Sequence, residues 1–359
     1  MTRTRLLIGT PKGAFILHSD GSRRDWSMQG PLCEGWPIHD LIVEPGTGAI
    51  LAAGGSPWYG AAVWRSEDGG TTWSHSSAGL TYGDGDGVEP IKTVWSLAAT
   101  PDGGLLAGVQ PAGLFRSDDK GGTWRHVEGL TNHPTRPSWQ PGAGGLILHS
   151  IVPHPSDPSR TWVGISAVGT FETTDGGASW EPRNQGVRAD FYPDPYPVTG
   201  QCVHKLVPAA DEPETLYQQN HCGVYRSDDG GAHWTDLTPG LPSQFGFPMV
   251  THPRDPDTAW VIPLNGDDKG RYMPGASAAV WRTHDRGANW IRSGDGLPQE
   301  NAFTTVLREA MARDTLDPVG ITFGTETGQL WNSADGGESW RLITANLPAI
   351  WAVESVVLD

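Results

Sequence analysis

The chain has 359 residues, with 25 Lys+Arg against 41 Asp+Glu and a formal net charge of −16. Such a charge repels phosphate backbones and argues against general nucleic-acid binding. With 48 Gly, 30 Pro and 17 Trp, the composition is too aromatic for a disordered chain and lacks both collagen period and coiled-coil heptads. A turn-rich all-β protein remains.

The N-terminus reads Met-Thr-Arg-Thr-Arg-Leu-Leu-Ile. Its apolar run is far shorter than the roughly 7–15 residues of a signal-peptide core. No stretch approaches the ~18 apolar residues of a membrane span. Cys33, Cys202 and Cys222 are too few for a disulfide framework. The expectation is a soluble, cytoplasmic protein without nucleic-acid or membrane partners. Oligomeric state is open.

Residues 5–10 read as a strand, and a worn turn, Ser19-Asp-Gly, leads to Trp26. Six better copies follow. They are Ser66-Glu-Asp68-Gly-Gly70-Thr-Thr-Trp73, Ser117-Asp-Asp119-Lys-Gly121-Gly-Thr-Trp124 and Thr173-Thr-Asp175-Gly-Gly177-Ala-Ser-Trp180, then Ser227-Asp-Asp229-Gly-Gly231-Ala-His-Trp234, Thr283-His-Asp285-Arg-Gly287-Ala-Asn-Trp290 and Ser333-Ala-Asp335-Gly-Gly337-Glu-Ser-Trp340. The closing tryptophans, 26, 73, 124, 180, 234, 290 and 340, mark units of about fifty residues, a period of repeat architectures. The third unit divides into alternating runs at 94–100, 105–109, 113–117 and 123–127. Four strands per unit make a propeller blade.

The motif Ser/Thr-x-Asp-x-Gly-x-Thr-Trp resembles the Asp-box, or bacterial neuraminidase repeat. That family includes sialidases, xyloglucanase-type glycoside hydrolases, sortilin-like receptors and photosystem assembly propellers. The resemblance covers the whole chain and implies a fold far more than a function. The predicted fold is all-β: a single seven-bladed propeller with Asp-box turns, one domain over 1–359. Residues 351–358 read as an innermost strand beside the N-terminal ones, closing the ring without a free edge. The box Asp itself reads as a turn staple, since every unit repeats it.

Box turns join third and fourth strands on one face. The other face, the top, carries the long irregular loops 56–59, 83–89, 132–145, 188–200 and 265–277. Such loops on a rigid scaffold are where binding usually lives. Aligning innermost strands puts His39, Trp95, His149 and His204 in one register, with Phe247, Thr304 and Glu354 in the remaining blades. Imidazoles and a carboxylate around an axis can hold a divalent transition metal, Zn, Fe, Cu or Ni. Metal ligands would be His39, His149, His204 and Glu354, with Glu354 alternatively a base. The competing reading is that these histidines only hydrogen-bond across the channel.

Trp95 and Phe247 would wall the pocket, and Trp58, Tyr59 and Arg271 would add substrate contacts. Cys202 lies two residues before His204 on a strand and His221 in a loop of the same blade, a thiol nucleophile or extra ligands. Asp84, Asp86 and Glu89 resemble a fragment of a calcium loop. The first functional expectation is a metal-dependent enzyme acting on a small molecule. One alternative is a glycoside hydrolase or sialidase-like enzyme acting on carbohydrate, which needs paired carboxylates. Its acids would come from Asp40, Glu89, Asp190, Asp194, Asp267 and Asp268, with Tyr59, Tyr192, Tyr196 and Tyr272 stacking on sugar. The chain departs from sialidases in lacking their Phe-Arg-Ile-Pro segment, and Arg136, Arg188 and Arg271 match no carboxylate-binding triad. The other alternative is a non-catalytic protein-interaction propeller.

Overall fold

The computed structural model describes residues 2–358 except 84, 86 and 87, and leaves aside the side chain of Asp267. Among the described residues the strands form seven four-stranded antiparallel sheets. In six blades the strands follow one another in sequence order. Blade 1 instead pairs the C-terminal strand Ala352–Leu358 with Arg3–Thr10, followed by Gly13–Asp20 and Ser27–Leu32. The junction runs from Arg3 opposite Leu358 to Gly9 opposite Ala352. The ends of the chain are thereby stitched into one sheet, and the predicted ring closure holds.

Innermost strands of blades 2 to 7 are Ile38–Val43, Thr93–Ala99, Leu148–Pro153, Val203–Pro208, Gly246–Thr251 and Met311–Arg313. Apolar side chains from both faces of each sheet pack against neighbouring blades. Between blades 3 and 4, for example, Leu106, Leu114 and Val127 meet Val163, Phe171 and Trp180. Trp64, Trp162 and Trp260 are nearly fully buried. Burying each large side chain contributes roughly 1.5–3 kcal/mol.

The repeated Asp turn behaves as a staple. Asp119 accepts the Ser117 hydroxyl at 2.8 Å and the Thr123 N–H at 2.8 Å. The same pair of bonds recurs at Asp68, Asp175, Asp229, Asp285 and Asp335. Hydrogen bonds to the charged form hold Asp68 and Asp119 down to about 2, chiefly through the N–H groups of Thr72 and Thr123. The glycine after a fourth strand has a different duty. Gly79 (φ +80°) lies where an added Cβ would strike the carbonyl of Trp124, and the Trp124 N–H donates to Ala78 at 2.9 Å. This close approach, repeated at Gly186 and Gly296, explains part of the glycine excess.

Candidate functional site

A β-bulge interrupts the innermost strand of blades 2 to 6 at one place. Register shifts fall between Ile38 and Asp40, Val94 and Ser96, Leu148 and Ser150, Val203 and Lys205, and Gly246 and Met249. The unpaired residues are therefore His39, Trp95, His149, His204 and the Phe247-Pro248 pair. A bulge re-aims side chains and frees ladder groups. The register aligned in the sequence falls on these bulge residues.

Three of the carbonyls that stand before a bulge are met from the preceding blade. The Ser96 hydroxyl donates to Leu148 O at 3.0 Å, a His149 ring nitrogen lies 2.8 Å from Val203 O, and His204 Nδ1 lies 2.6 Å from Gly246 O. The accepting residue always stands just before the next bulge. His149 Nδ1 is also 3.1 Å from the Ser150 hydroxyl, and His39 Nε2 is 3.1 Å from Gly55 O within its own blade. Burial depresses all three, His39 to about 4 and the other two well below the usual histidine value; Arg308 adds its charge against His149 and His204. They are neutral imidazoles that join strands and blades. The structure does not bring His39, His149, His204 and Glu354 together around one point as a shared ligand set. His39 instead lies between Trp95 and Trp351, stacked at 4.6 and 4.9 Å.

Two aligned positions move. Thr304 stands before the innermost strand of blade 7, its hydroxyl 3.2 Å from that of Thr327. Counting back from the strand end opposite the box, Arg313 pairs with Ile321 and Ile321 with Ser333, which puts Glu309 at the position of His39. In blade 1 the same count puts Glu354, opposite Leu7, level with Asp40. Lys205, Asp40 and Glu354 thus form a charged tier at the axis, joined from one position above by Glu309. The Lys205 ammonium donates to Glu309 Oε2, and Asp40 accepts the N–H groups of Leu41 and Leu97, each at 2.9 Å.

Parts of these side chains face the channel, yet protein surrounds them closely. Burial, then the charge of Glu309, raises Asp40 above the carboxylate range. Burial lifts Glu354 to about 7 against the opposing charges of Arg313 and Lys205. Burial alone would lower Lys205, but the three carboxylates outweigh it and raise it.

Above this tier lies a pocket of about 220 Å³ lined by His39, Trp95, Leu307, Arg308, Glu309 and Trp351. Glu309 is 8% exposed, and its Oε1 has no hydrogen-bond partner among the described residues. A second cavity, about 270 Å³, is lined among others by Cys202, His204, His221, Phe247, Arg271 and Arg308. Arg308 lies over the Phe247 ring at 4.9 Å and Arg271 over the Phe245 and Phe247 rings at 5.8 and 5.7 Å. A larger concavity of about 780 Å³ lies between the outer parts of blades 3 and 4, beside the Asp175 turn. Its lining is turn and outer-strand residues, and none of the buried charged groups faces it.

The structure therefore divides the sequence-nominated residues. His39 and Trp95 share the axial pocket. Cys202, His204, His221, Phe247 and Arg271 share the second cavity, and Glu354 sits in the charged tier. Trp58, 88% exposed, and Tyr59, packed on Trp36 at 4.9 Å, lie in the blade 2 loop and line neither. Of the calcium-loop fragment, Asp84 and Asp86 lie outside the described residues, and Glu89 pairs with Lys92 at 2.8 Å. Sequence reasoning missed Lys205, Arg308 and Glu309. Lys205 is a charged residue inside an apolar innermost strand, and Arg308 and Glu309 stand just before that of blade 7, a signal readable only by counting from each box.

No family model matches this chain. It is 27% identical over 243 residues to the oligoxyloglucan-reducing end-specific xyloglucanase of Emericella nidulans, covering 59% of this chain and 27% of that enzyme. An ancestral GH74 enzyme superposes with a TM-score of 0.57 at 16% identity, covering 85% of this chain and 38% of that one. YCF48 bound to D1 peptide superposes with a TM-score of 0.54 at 13% identity, covering 86% and 82%. The chain is a seven-bladed β-propeller similar to xyloglucanases and to Ycf48. It spans about a quarter of the length of the xyloglucanase it matches. The two structural likenesses carry the fold alone.

Proposed function

We propose that this propeller is a carbohydrate-active protein of the glycoside hydrolase kind, with its sugar site in the axial pocket. The observation that carries the reading is Glu309. One of its oxygens is held by Lys205, while the buried Oε1 at the pocket wall meets no donor among the described residues. An unpaired buried acceptor costs free energy, and a sugar hydroxyl is a donor that removes the cost. Trp95 and Trp351 give apolar wall against which a sugar ring packs. At about 220 Å³ the pocket is smaller than the ~300–1,000 Å³ of drug-sized sites, so it suits a terminal ring better than an internal stretch of polysaccharide. Glu354 and Asp40, both inclined to keep a proton, stand in the tier beneath and suit the acid role that glycoside cleavage requires.

The carbohydrate reading has more support than the metal-dependent one first drawn from the histidine ring. Those histidines spend ring nitrogens on carbonyls of the fold, and the enzyme relative is a xyloglucanase. Calorimetric titration with xyloglucan oligosaccharides, beside a reducing-end release assay, tests the proposal. Glu309→Gln and Trp95→Ala are expected to weaken binding about tenfold or more, ~1.4 kcal/mol. Saturable binding without product release would keep the sugar site and remove the hydrolase. No binding across an oligosaccharide panel would overturn both.

A further inference from the structure

The second cavity contains a cluster that the sugar reading does not use. Cys202 enters the innermost strand of blade 5, His204 is that strand's bulge residue, and His221 lies in the loop between Leu216–Asn220 and Gly223–Ser227. The His221 N–H donates to the Cys202 carbonyl at 2.9 Å, which fixes the loop against the strand entry. Cys202 Sγ and one ring nitrogen from each of His204 and His221 lie within 4.8 Å of one another.

Cys202 and His204 already have the spacing of two ligands on one ion, and a rotation of the His221 ring would draw in the third. Zinc bonds sulfur at ~2.3 Å and imidazole nitrogen at ~2.0–2.1 Å, so a tetrahedral angle separates two such ligands by about 3.5–3.6 Å. Cys202 Sγ and His204 Nε2 are 3.6 Å apart. The orientation fits as well. His204 Nδ1 faces the Gly246 carbonyl at 2.6 Å, and a carbonyl can only accept. The proton therefore sits on Nδ1, and Nε2 presents its lone pair toward Cys202. A backbone carbonyl holding the far nitrogen is the usual support of a metal-bound histidine.

We propose that Cys202, His204 and His221 bind a divalent transition metal of the zinc type through one sulfur and two nitrogens. Binding sends the thiol proton to solvent and leaves a thiolate on the ion. Three protein ligands leave a fourth position, and the cavity of about 270 Å³ has room for an external group there. Arg271 and Arg308 line the same cavity. A cationic wall favours an anionic fourth ligand, a carboxylate or a phosphate. The site adjoins the axial sugar pocket at Arg308, but His204, Cys202 and His221 lie outside that pocket, and the two proposals are tested independently.

Cobalt(II) and zinc(II), each alone, serve as probes of the full chain after chelator treatment. One equivalent of cobalt is expected to give a thiolate-to-cobalt charge-transfer band, displaced by one equivalent of zinc. Cys202→Ser should abolish the band, and His221→Gln should weaken uptake at least tenfold. Zinc should protect Cys202 of the unaltered chain from iodoacetamide, with a chelator restoring reaction, which tests the site without any variant. The proposal is overturned if cobalt gives no band, if Cys202→Ser takes up metal as before, or if zinc leaves alkylation of Cys202 unchanged. In those cases the 3.6 Å contact is a thiol hydrogen bond to His204 only.

Discussion

Replacing Glu354 with glutamine separates the electrostatic cost of the axial tier from its packing. The carboxyl is raised from its usual 4.5 to about 7, mainly by burial. Between those values the folded chain holds a proton that the unfolded chain has released. The contribution to stability is therefore full below pH 4.5 and is lost as pH rises through 7. At ~1.36 kcal/mol per pH unit, the gap is worth about 3 kcal/mol, or about 2–3 once water in the channel is allowed for. Glutamine keeps the shape and removes the ionisation. Glu354→Gln should match the unaltered protein near pH 5 and exceed it by about 2–3 kcal/mol at pH 8. With an unfolding entropy near 0.75 kcal/mol/K for a chain of this length, the midpoint at pH 8 should rise by about 3–4 °C. Calorimetric melts of both proteins from pH 5 to 8.5 measure the difference directly, and shared histidine titrations cancel in it. Equal destabilisation at pH 5 and pH 8 would refute the reasoning. It would mean that Arg313 and Lys205 hold Glu354 ionised at neutral pH.

Three other outcomes follow from the same contacts. His39 is depressed to about 4 by burial, so the folded chain resists a proton that the unfolded chain accepts below ~6.5; stability should fall as pH drops from 6.5 to 4, and His39→Gln should flatten that slope in urea titrations at each pH. Asp119→Ala removes three anchors of a blade turn, two hydroxyls and one N–H, and should lower the melting midpoint, whereas Asp20→Ala, in the worn copy where the carboxylate holds Ser22, should lower it less. Removing residues 351–359 strips Arg3–Thr10 of its partner strand and exposes a sheet edge, so the truncated chain should aggregate on expression, as judged by its soluble fraction.

The sequence alone determined the ring. Seven closing tryptophans at a spacing near fifty, four alternating runs per unit and a lone terminal strand leave little choice, because turn chemistry and strand period are local properties. The register of His39, Trp95, His149, His204 and Phe247 was legible too, since the bulge repeats with the blade. What that register meant was not legible. Whether an imidazole faces a ligand or a carbonyl depends on the next blade, some fifty residues away, and here His149 reaches Val203 and His204 reaches Gly246. The sequence also left blades 1 and 7 misaligned, because their innermost strands lack the shared pattern. Thr304 stood in for Glu309, and Glu354 was set one level too high. Only the closed ring brings Lys205, Asp40, Glu309 and Glu354 from four blades to one axis, and only there does burial raise the carboxyls of Asp40 and Glu354.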